Sequence, residues 1–210
     1  MKIEPKGNGP LFTEINYYQR NCKEADIDKF AKSNKLNVLG IPKFMASGVT
    51  AYNAKDVRYL VMPRFGRDLQ KLFEENGKQF NRELLAQIAT KMLYAIEYMH
   101  QRRYAHADIK GANILLGNEI KSKEKEELFL IDFGLAYLVP PKVKHQPDPR
   151  CKHDGTIEYC STDAHDGSKP SFRGDIEILA WCLVHWASGS LPWEKLVKEN
   201  MTGLILLLIK

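Results

Sequence analysis

The 210-residue sequence lacks any long apolar run, and this absence excludes one class of protein. Even apolar stretches such as residues 204–209 stay far below the about 20 residues that a helix needs to cross a bilayer. The sequence therefore predicts no membrane segment. It also starts without the basic and apolar stretch of a secretory signal, so we expect a cytosolic or nuclear protein.

Cysteine is scarce, which argues against a disulfide framework. The chain has four cysteines, and outside the secretory route we expect them to stay reduced. Cysteine and histidine alternate between residues 145 and 165, but their irregular spacing lacks the paired C-x-x-C or H-x-x-x-H of structural zinc sites. The sequence therefore does not favour zinc. The four cysteines are Cys22, Cys151, Cys160 and Cys182.

A strong charge imbalance is also missing. The net charge of +5 is small and dispersed, which indicates a mildly basic surface rather than a nucleic-acid interface. With 44% hydrophobic and 27% charged residues, the composition is that of an ordinary globular protein. The length allows one large domain or two small ones, and no repeat or linker is visible.

One stretch, residues 104–116, carries the pattern H-x-D-x-K-x-x-N. Phosphoryl transfer needs a group that orients the attacking hydroxyl, a cation for developing negative charge and an oxygen ligand for magnesium. Asp108, Lys110 and Asn113 supply these groups in that order. A lone His-x-Asp is usually part of a solvated loop, but the full spacing matches the catalytic loop of protein kinases.

A second acidic position follows the apolar run 128–131, which ends in Asp132-Phe133-Gly134. An aspartate at a strand end, followed by a flexible glycine, can present its carboxylate to a hard cation. D-F-G alone occurs by chance. The two motifs in this order and at this separation indicate a magnesium-dependent phosphoryl-transfer site.

Periodicity and turn residues predict the secondary structure. Asn81 is expected to cap the longest helix, whose apolar residues share one face. The predicted helices are residues 11–21, 24–33, 68–75, the stretch after Asn81, and 175–188, which is apolar on nearly all sides and ends at Gly189. The predicted strands are residues 1–5, 42–47, 57–62, 114–116 and 128–131, with polar turns at 50–56 and 117–127.

Six blocks of residues together point to one family. They are G-P-L-F-T-E, R-F-G-x-D-L-Q-K, H-x-D-I-K-x-x-N-I-L-L, H-D-G-T-I-E-Y, D-A-H-D-G and R-G-D-I-E-I-L-A. On these blocks the chain resembles the vaccinia-related kinase family of the casein kinase one group, and the resemblance covers about residues 1–194. The resemblance implies an α+β, protein-kinase-like fold of two lobes. Residues 1–62 would be a remnant of the small lobe, with strands and one helix, and residues 63–210 a mainly helical large lobe.

The resemblance also implies roles for the polar residues of the two motifs. Asp108 would be the catalytic base and Lys110 the phosphate-stabilising residue. Asn113 and Asp132 would hold Mg²⁺. Asp175 would hold the backbone of the catalytic loop from below.

A nucleotide site is implied in the same way, with ATP and Mg²⁺ as cofactors. Lys2 on a strand and Glu14 on the next helix would form the ion pair that holds the phosphates, although by themselves they read as two exposed charges. Met62 would border the adenine pocket. Pro63 and Phe65 would form the hinge, Pro63 through its carbonyl and Phe65 through its amide, so proline removes no needed donor.

The resemblance further bears on regulation and substrates. Thr156 would bridge the catalytic aspartate and lysine. Ala107 replaces an arginine that reads a loop phosphate in many kinases, and residues 135–155 contain no Ser or Thr, so we expect a loop held by packing rather than by phosphorylation. The resemblance implies that the substrates are Ser and Thr in proteins of nuclear or chromatin-associated type, which favours the nucleus over the cytoplasm as the location.

The chain departs from the family at both ends. Nothing corresponds to the glycine-rich loop, and residues 194–210 no longer resemble the family's last helices, so we expect a fragment or truncated product with an exposed apolar patch. We also expect Lys2 to fray and its ion pair with Glu14 to be solvent-exposed. The 210-residue chain is therefore expected to bind Mg²⁺-ATP weakly and to phosphorylate protein substrates negligibly.

Two other functions stay open at this point. A pseudokinase or scaffold agrees with the missing phosphate cover, but the catalytic positions are all filled. A small-molecule kinase shares the H-x-D and Asn pattern, whereas Lys110 and the long loop before Thr156 argue against it.

Overall fold

The computed structural model describes residues 1–7, 9–117, 127–142, 147–148 and 154–199. Its α-helices are α1 (Leu11–Asn21), α2 (Glu24–Ser33), α3 (Leu69–Glu75), α4 (Arg82–Gln101), α5 (Thr162–His165), α6 (Phe172–Ser188) and α7 (Glu194–Lys198). Its strands are β1 (Lys2–Pro5), β2 (Ala46–Tyr52), β3 (Lys55–Val61), β4 (Tyr104–Ala105), β5 (Ile114–Leu116), β6 (Leu128–Leu130) and β7 (Tyr137–Leu138).

The first three strands form one antiparallel sheet in the order β1-β3-β2. The strand predicted at 42–47 is wrong in its bounds, because β2 begins at Ala46 and continues to Tyr52. The turn predicted at 50–56 shrinks to Asn53 and Ala54, whose φ angles are 49° and 59°. Positive φ at both central residues suits the twist of a tight hairpin, so polar residues that read as a turn extend the two strands instead.

Helix α1 has the predicted bounds, and residues 1–62 contain α2 as a second helix beside the three strands. On α1, Leu11 and Tyr18 are buried, and Ile15 packs partly against the core. The N-terminus of α1 has a partner from the sheet, since the Leu11 N–H donates to the Glu4 carboxylate at 3.2 Å. The helix is thereby fixed to β1.

Helices α4 and α6 pack against each other and carry much of the core. Asn81 caps α4 as predicted, with its Oδ1 accepting from the Leu84 N–H at 2.9 Å. Helix α6 begins before the predicted residue 175, because the Ser171 hydroxyl accepts from the Gly174 N–H at 3.0 Å and starts the helix there. It ends as predicted, at Gly189 with φ of 83°.

The prediction that α6 is apolar and buried on nearly all sides is only partly right. Ile176 and Val184 are 43% and 46% exposed, so one side of the helix faces solvent in the described structure. The strands predicted at 114–116 and 128–131 are present as β5 and β6, which pair with Ile114 opposite Leu130. The predicted turn at 117–127 and the terminal stretch 200–210 lie largely or wholly outside the described residues.

In the described part of the chain, no helix is both long enough and apolar enough to span a bilayer. Cys22, Cys160 and Cys182 are free and buried, while Cys151 lies outside the described residues.

Candidate active site

The loop that carries the H-x-D motif is positioned at both of its ends. Helix α4 leads into β4, which pairs with β7, and the loop ends in a 3₁₀ turn, Gly111–Asn113, that leads into β5. Ala107 adopts a φ of 70°, a left-handed conformation that costs free energy for a residue with a Cβ atom. The surrounding contacts must therefore stabilise it.

Asp175 supplies those contacts from α6, as predicted. Its buried carboxylate accepts hydrogen bonds from the His106 N–H at 2.8 Å and the Ala107 N–H at 2.9 Å. His100 of α4 also contacts this carboxylate, with its Nε2 2.8 Å from Oδ2. No sequence motif includes His100, since only the packing of α4 on α6 brings it to Asp175.

His106 links the loop to the strand before Asp132. Its ring is fully buried, and this burial lowers the pKa of the imidazole below its usual value. Nδ1 lies 3.2 Å from the Asp108 N–H and accepts from it, and Nε2 lies 3.1 Å from the Ile131 carbonyl. The neutral ring with its proton on Nε2 satisfies both contacts.

Asp108, Lys110 and Thr156 form a closed set of polar contacts. The Thr156 hydroxyl donates to Asp108 Oδ1 at 2.6 Å and accepts from Lys110 Nζ at 2.8 Å. Lys110 Nζ is also 2.8 Å from Asp108 Oδ2. The predicted bridging contact of Thr156 is confirmed, and both carboxylate oxygens of Asp108 are held in fixed directions.

Asn113 completes this side of the site. Its Nδ2 donates to the Asp108 carbonyl at 2.8 Å and to Asp108 Oδ2 at 3.1 Å. No described residue hydrogen-bonds its Oδ1, which leaves that oxygen for a cation. The Ile131 N–H donates to the Asn113 carbonyl at 2.9 Å, so the backbone places Asn113 beside the residue that precedes Asp132.

Asp132 has a left-handed conformation, with φ of 67°, and a side chain that is 45% exposed. The next residue, Phe133, is fully buried. Its ring centroid lies 4.2 Å from that of Tyr17 and 5.2 Å from that of Tyr18, both on α1. The buried phenylalanine fixes the turn and directs the aspartate carboxylate outward.

Lys2 and Glu14 meet across the sheet and α1. Lys2 Nζ is 2.9 Å from both Glu14 oxygens and 3.4 Å from Asp132 Oδ1. The expectation that Lys2 frays and that the pair is solvent-exposed is wrong, because Lys2 pairs with Leu60 of β3 and the Glu14 side chain is only 3% exposed. Burial raises the pKa of Glu14 above its usual value, and the Lys2 ammonium opposes that rise.

The predicted hinge follows β3 directly, next to the strand that holds Lys2. Met62 packs partly against the core, and the Phe65 ring lies 4.7 Å from that of Phe129. The Gly66 N–H donates to the Leu116 carbonyl at 2.9 Å. Within the described residues, neither the Phe65 N–H nor the Pro63 carbonyl has a hydrogen-bond partner, so both are available to a ligand.

The donor set at Asn113 and Asp132 suits magnesium. Both side chains offer oxygen, which hard cations prefer, and Mg²⁺ is commonly bound by one or two carboxylates together with substrate phosphates. Among the described residues, no three His, Cys, Asp or Glu side chains cluster closely enough to hold a metal by themselves. A cation at this position would therefore be shared with a ligand.

Comparison with known proteins gives a consistent assignment. Residues 19–207 match the protein kinase domain family. The chain is similar to serine/threonine-protein kinase VRK2 of Homo sapiens, with 43% identity over 202 residues, 95% of this chain and 39% of that protein. It is 45% identical over 194 residues to nucleosomal histone kinase 1 of Drosophila melanogaster, covering 92% and 32% of the two chains.

A viral relative and a solved structure complete the comparison. The B1 kinase of vaccinia virus (strain Western Reserve) is 34% identical over 208 residues, 98% of this chain and 68% of the viral protein. The structure of vaccinia related kinase 3 superposes with a TM-score of 0.84 at 29% identity, covering 97% of this chain and 62% of that one. The predicted kinase-like fold is confirmed. The chain spans 39% and 32% of the length of the human and fly relatives.

Proposed function

The chain belongs to the protein kinase family, and within it to the vaccinia-related kinases, and we propose that it transfers the γ-phosphoryl group of ATP to Ser and Thr hydroxyls of proteins. The observation that carries this proposal is the contact set around Asp108. Lys110, Thr156 and Asn113 all hold its carboxylate within hydrogen-bond distance. Phosphoryl transfer requires such fixed polar groups, because the protein contributes mainly positioning and electrostatic stabilisation.

Asp108 is the proposed catalytic base. A base must hold its oxygen at the position where the substrate hydroxyl arrives. Thr156 and Asn113 direct the two carboxylate oxygens of Asp108, which lets one of them orient the hydroxyl and accept its proton. Lys110, 2.8 Å from Asp108, then supplies positive charge beside the transferred group.

Asn113 and Asp132 are the proposed magnesium ligands, through Oδ1 of Asn113 and the half-exposed carboxylate of Asp132. Mg²⁺ bound with ATP supplies neutralisation of phosphate charge during transfer. Lys2 lies between Glu14 and Asp132, where its ammonium would bind the phosphates of the same nucleotide. The buried Glu14 carboxylate keeps that ammonium in place.

The adenine ring is proposed to lie against Met62 and the backbone of Pro63 and Phe65. The Pro63 carbonyl and the Phe65 N–H, which have no partner among the described residues, would supply one acceptor and one donor, the pairing that an adenine edge requires. The proline removes no donor that this mode of binding uses.

The proposed substrates are nuclear or chromatin-associated proteins, and the proposed location is the nucleus. This proposal draws on the similarity to a nucleosomal histone kinase. The cytoplasm is the alternative location.

A phosphoryl-transfer assay on the full-length protein tests the function. Labelled ATP with Mg²⁺ is offered with casein, free histones or nucleosomes, and the phosphorylated residues are identified by mass spectrometry. We expect transfer to Ser and Thr that chelation of Mg²⁺ abolishes. Binding of ATP without any transfer would support a pseudokinase or scaffold instead, and transfer only to small molecules would contradict the protein-kinase assignment.

A further inference from the structure

The residues around Thr156 contact α6 at several positions. These contacts are separate from those that Thr156 makes with Asp108 and Lys110. We call residues 154–162 the anchor segment. It ends where α5 begins, and Tyr159, Cys160 and Ser161 within it are buried. Because Thr156 contacts both Asp108 and Lys110, whatever holds the anchor segment also determines the geometry of the proposed base.

Glu177 of α6 makes the contact at the end of this segment. One carboxylate oxygen accepts from the Thr162 N–H at 2.8 Å, and the other accepts from the Thr162 hydroxyl at 3.2 Å. Both carboxylate oxygens of Glu177 therefore accept hydrogen bonds from Thr162. Hydrogen bonds to an ionised acceptor are stronger than neutral ones, so this two-point contact resists both translation and rotation of Thr162.

Two further residues of α6 follow Glu177 at intervals of one helical turn. His185 Nδ1 lies 2.6 Å from the Tyr159 hydroxyl. The ring centroid of Trp181 lies 5.0 Å from that of Trp193. The Trp193 Nε1–H in turn donates to the Glu158 carbonyl of the anchor segment at 2.8 Å. Residues four apart share one face of a helix. This face of α6 therefore contacts the anchor segment directly through Glu177 and His185, and through Trp193 at the position of Trp181.

Hydrogen bonds inside the anchor segment transmit this attachment to Thr156. The Tyr159 N–H donates to the Thr156 carbonyl at 2.9 Å. The Cys160 thiol lies 3.3 Å from the Asp154 carbonyl and donates to it. The segment is closed by its own bonds, and a displacement at Thr162 is expected to move Thr156 with it.

We propose that Glu177 is a positioning residue for phosphoryl transfer, which acts through Thr162 to hold Thr156 against Asp108 and Lys110. The proposal rests on the proposed function. It assigns to the hydrogen bonds between the Glu177 carboxylate and Thr162 the task of holding the anchor segment in its working position, with no phosphate required.

A neighbouring ion pair offers a matched control. Arg173 contacts the Asp163 carboxylate just beyond the anchor segment. The Arg173 side chain is 66% exposed, and exposed pairs of this kind contribute little. Arg173→Gln therefore removes a charge from the same region without touching Thr162.

The experiment compares four variants of the full-length protein: Glu177→Gln, Thr162→Val, Thr162→Ser and Arg173→Gln. We expect Glu177→Gln and Thr162→Val to lower kcat about 10- to 100-fold, because small displacements of catalytic groups have effects of that size. KM for ATP should stay within about threefold, since the proposed nucleotide contacts are untouched. Thr162→Ser keeps the hydroxyl and should retain most of the activity, as should Arg173→Gln.

Hydrogen exchange supplies a readout that does not depend on turnover. In Glu177→Gln, the backbone amides of the anchor segment should exchange faster while those of α4 stay protected. A kcat within about twofold of the Arg173→Gln value, or faster exchange throughout the protein, would overturn the positioning role. If the parent protein shows no transfer, the proposed function fails, whereas the exchange comparison still decides whether Glu177 holds the segment.

Discussion

The two sides of the candidate active site are built differently. On one side, Asp108 lies in a loop whose backbone is bonded to the buried Asp175 carboxylate. On the other side, Lys2 lies on a strand at the edge of the sheet and its side chain is 34% exposed. Several independent contacts fix the first geometry, namely those of Asp175 with the backbone and those of Lys110, Thr156 and Asn113 with the Asp108 carboxylate. The second geometry depends mainly on one ion pair with Glu14.

The difference indicates which groups are preorganised and which adapt to the nucleotide. Groups that stabilise a transition state act best when their orientation costs nothing at the moment of reaction. The Asp108 side meets this condition before any ligand binds. On the Lys2 side, the ammonium already contacts the buried Glu14 carboxylate but stays open to solvent. Its orientation is therefore fixed only when a phosphate binds. The predictions that follow test this contrast from the largest expected effect to the smallest.

Substitution of the proposed base on the preorganised side, or of the proposed magnesium ligand Asp132 beside Lys2, should have the largest effect. We expect Asp108→Asn, and separately Asp132→Asn, to lower kcat by on the order of 10³, or about 4 kcal/mol of transition-state stabilisation, with the fold intact. Steady-state phosphorylation kinetics and circular dichroism measure both quantities. Asp56→Asn, at an exposed pair with Lys6, is the control, and an Asp108 variant within about tenfold of the parent would contradict the proposed role.

Substitution of Asp175, which holds the backbone of the catalytic loop, should have a nearly equal effect, but on the free energy of unfolding. Asp175→Asn replaces a buried acceptor of two backbone N–H groups by an amide with fewer lone pairs, and we expect the free energy of unfolding to fall by about 3 kcal/mol. Denaturant unfolding gives the value. Asp68→Asn is the matched control, because asparagine caps a helix as well as aspartate does, and equal effects of the two changes would show that Asp175 is not special.

Substitution of Lys2, on the side that adapts to the nucleotide, should have a somewhat smaller effect. Lys2→Met is expected to lower kcat/KM for ATP by about 10², since removal of a single charged donor typically has this effect. It also leaves the buried Glu14 without its partner. Lys6→Met provides the comparison, because Lys6 pairs with Asp56 at an exposed position. Similar kinetics for the two lysine variants would mean that the Lys2 contact is not functional.

The smallest effect concerns phosphorylation of the loop. No Ser or Thr lies in residues 135–155, and Ala107 is buried and offers no charge to a phosphate. We therefore expect phosphatase treatment of the active protein to change kcat less than about twofold, with mass spectrometry confirming dephosphorylation. A large loss that follows removal of a phosphate from this stretch would refute the expectation.

Local signals in the sequence were enough for most of the helices and for the choice of polar residues. Helix caps such as Asn81 and Gly189 are short-range features, since side-chain oxygens and positive φ act within one turn. The spacing of Asp108, Lys110 and Asn113 is likewise local, because all three share one loop and its 3₁₀ turn. The bounds predicted for the β2-β3 hairpin were wrong because Asn53 and Ala54 form its tight turn without a glycine.

The sequence by itself determined most of the helices, the family resemblance and the identity of the polar groups, because each of these depends on neighbours along the chain. Only the tertiary structure decided that Glu14 is buried beside Lys2, that His100 contacts Asp175, and that Glu177 holds Thr162. Burial and long-range ion pairing depend on which elements pack together. No local pattern of residues specifies that packing, and the free energy of a charge depends on it more than on the residue type.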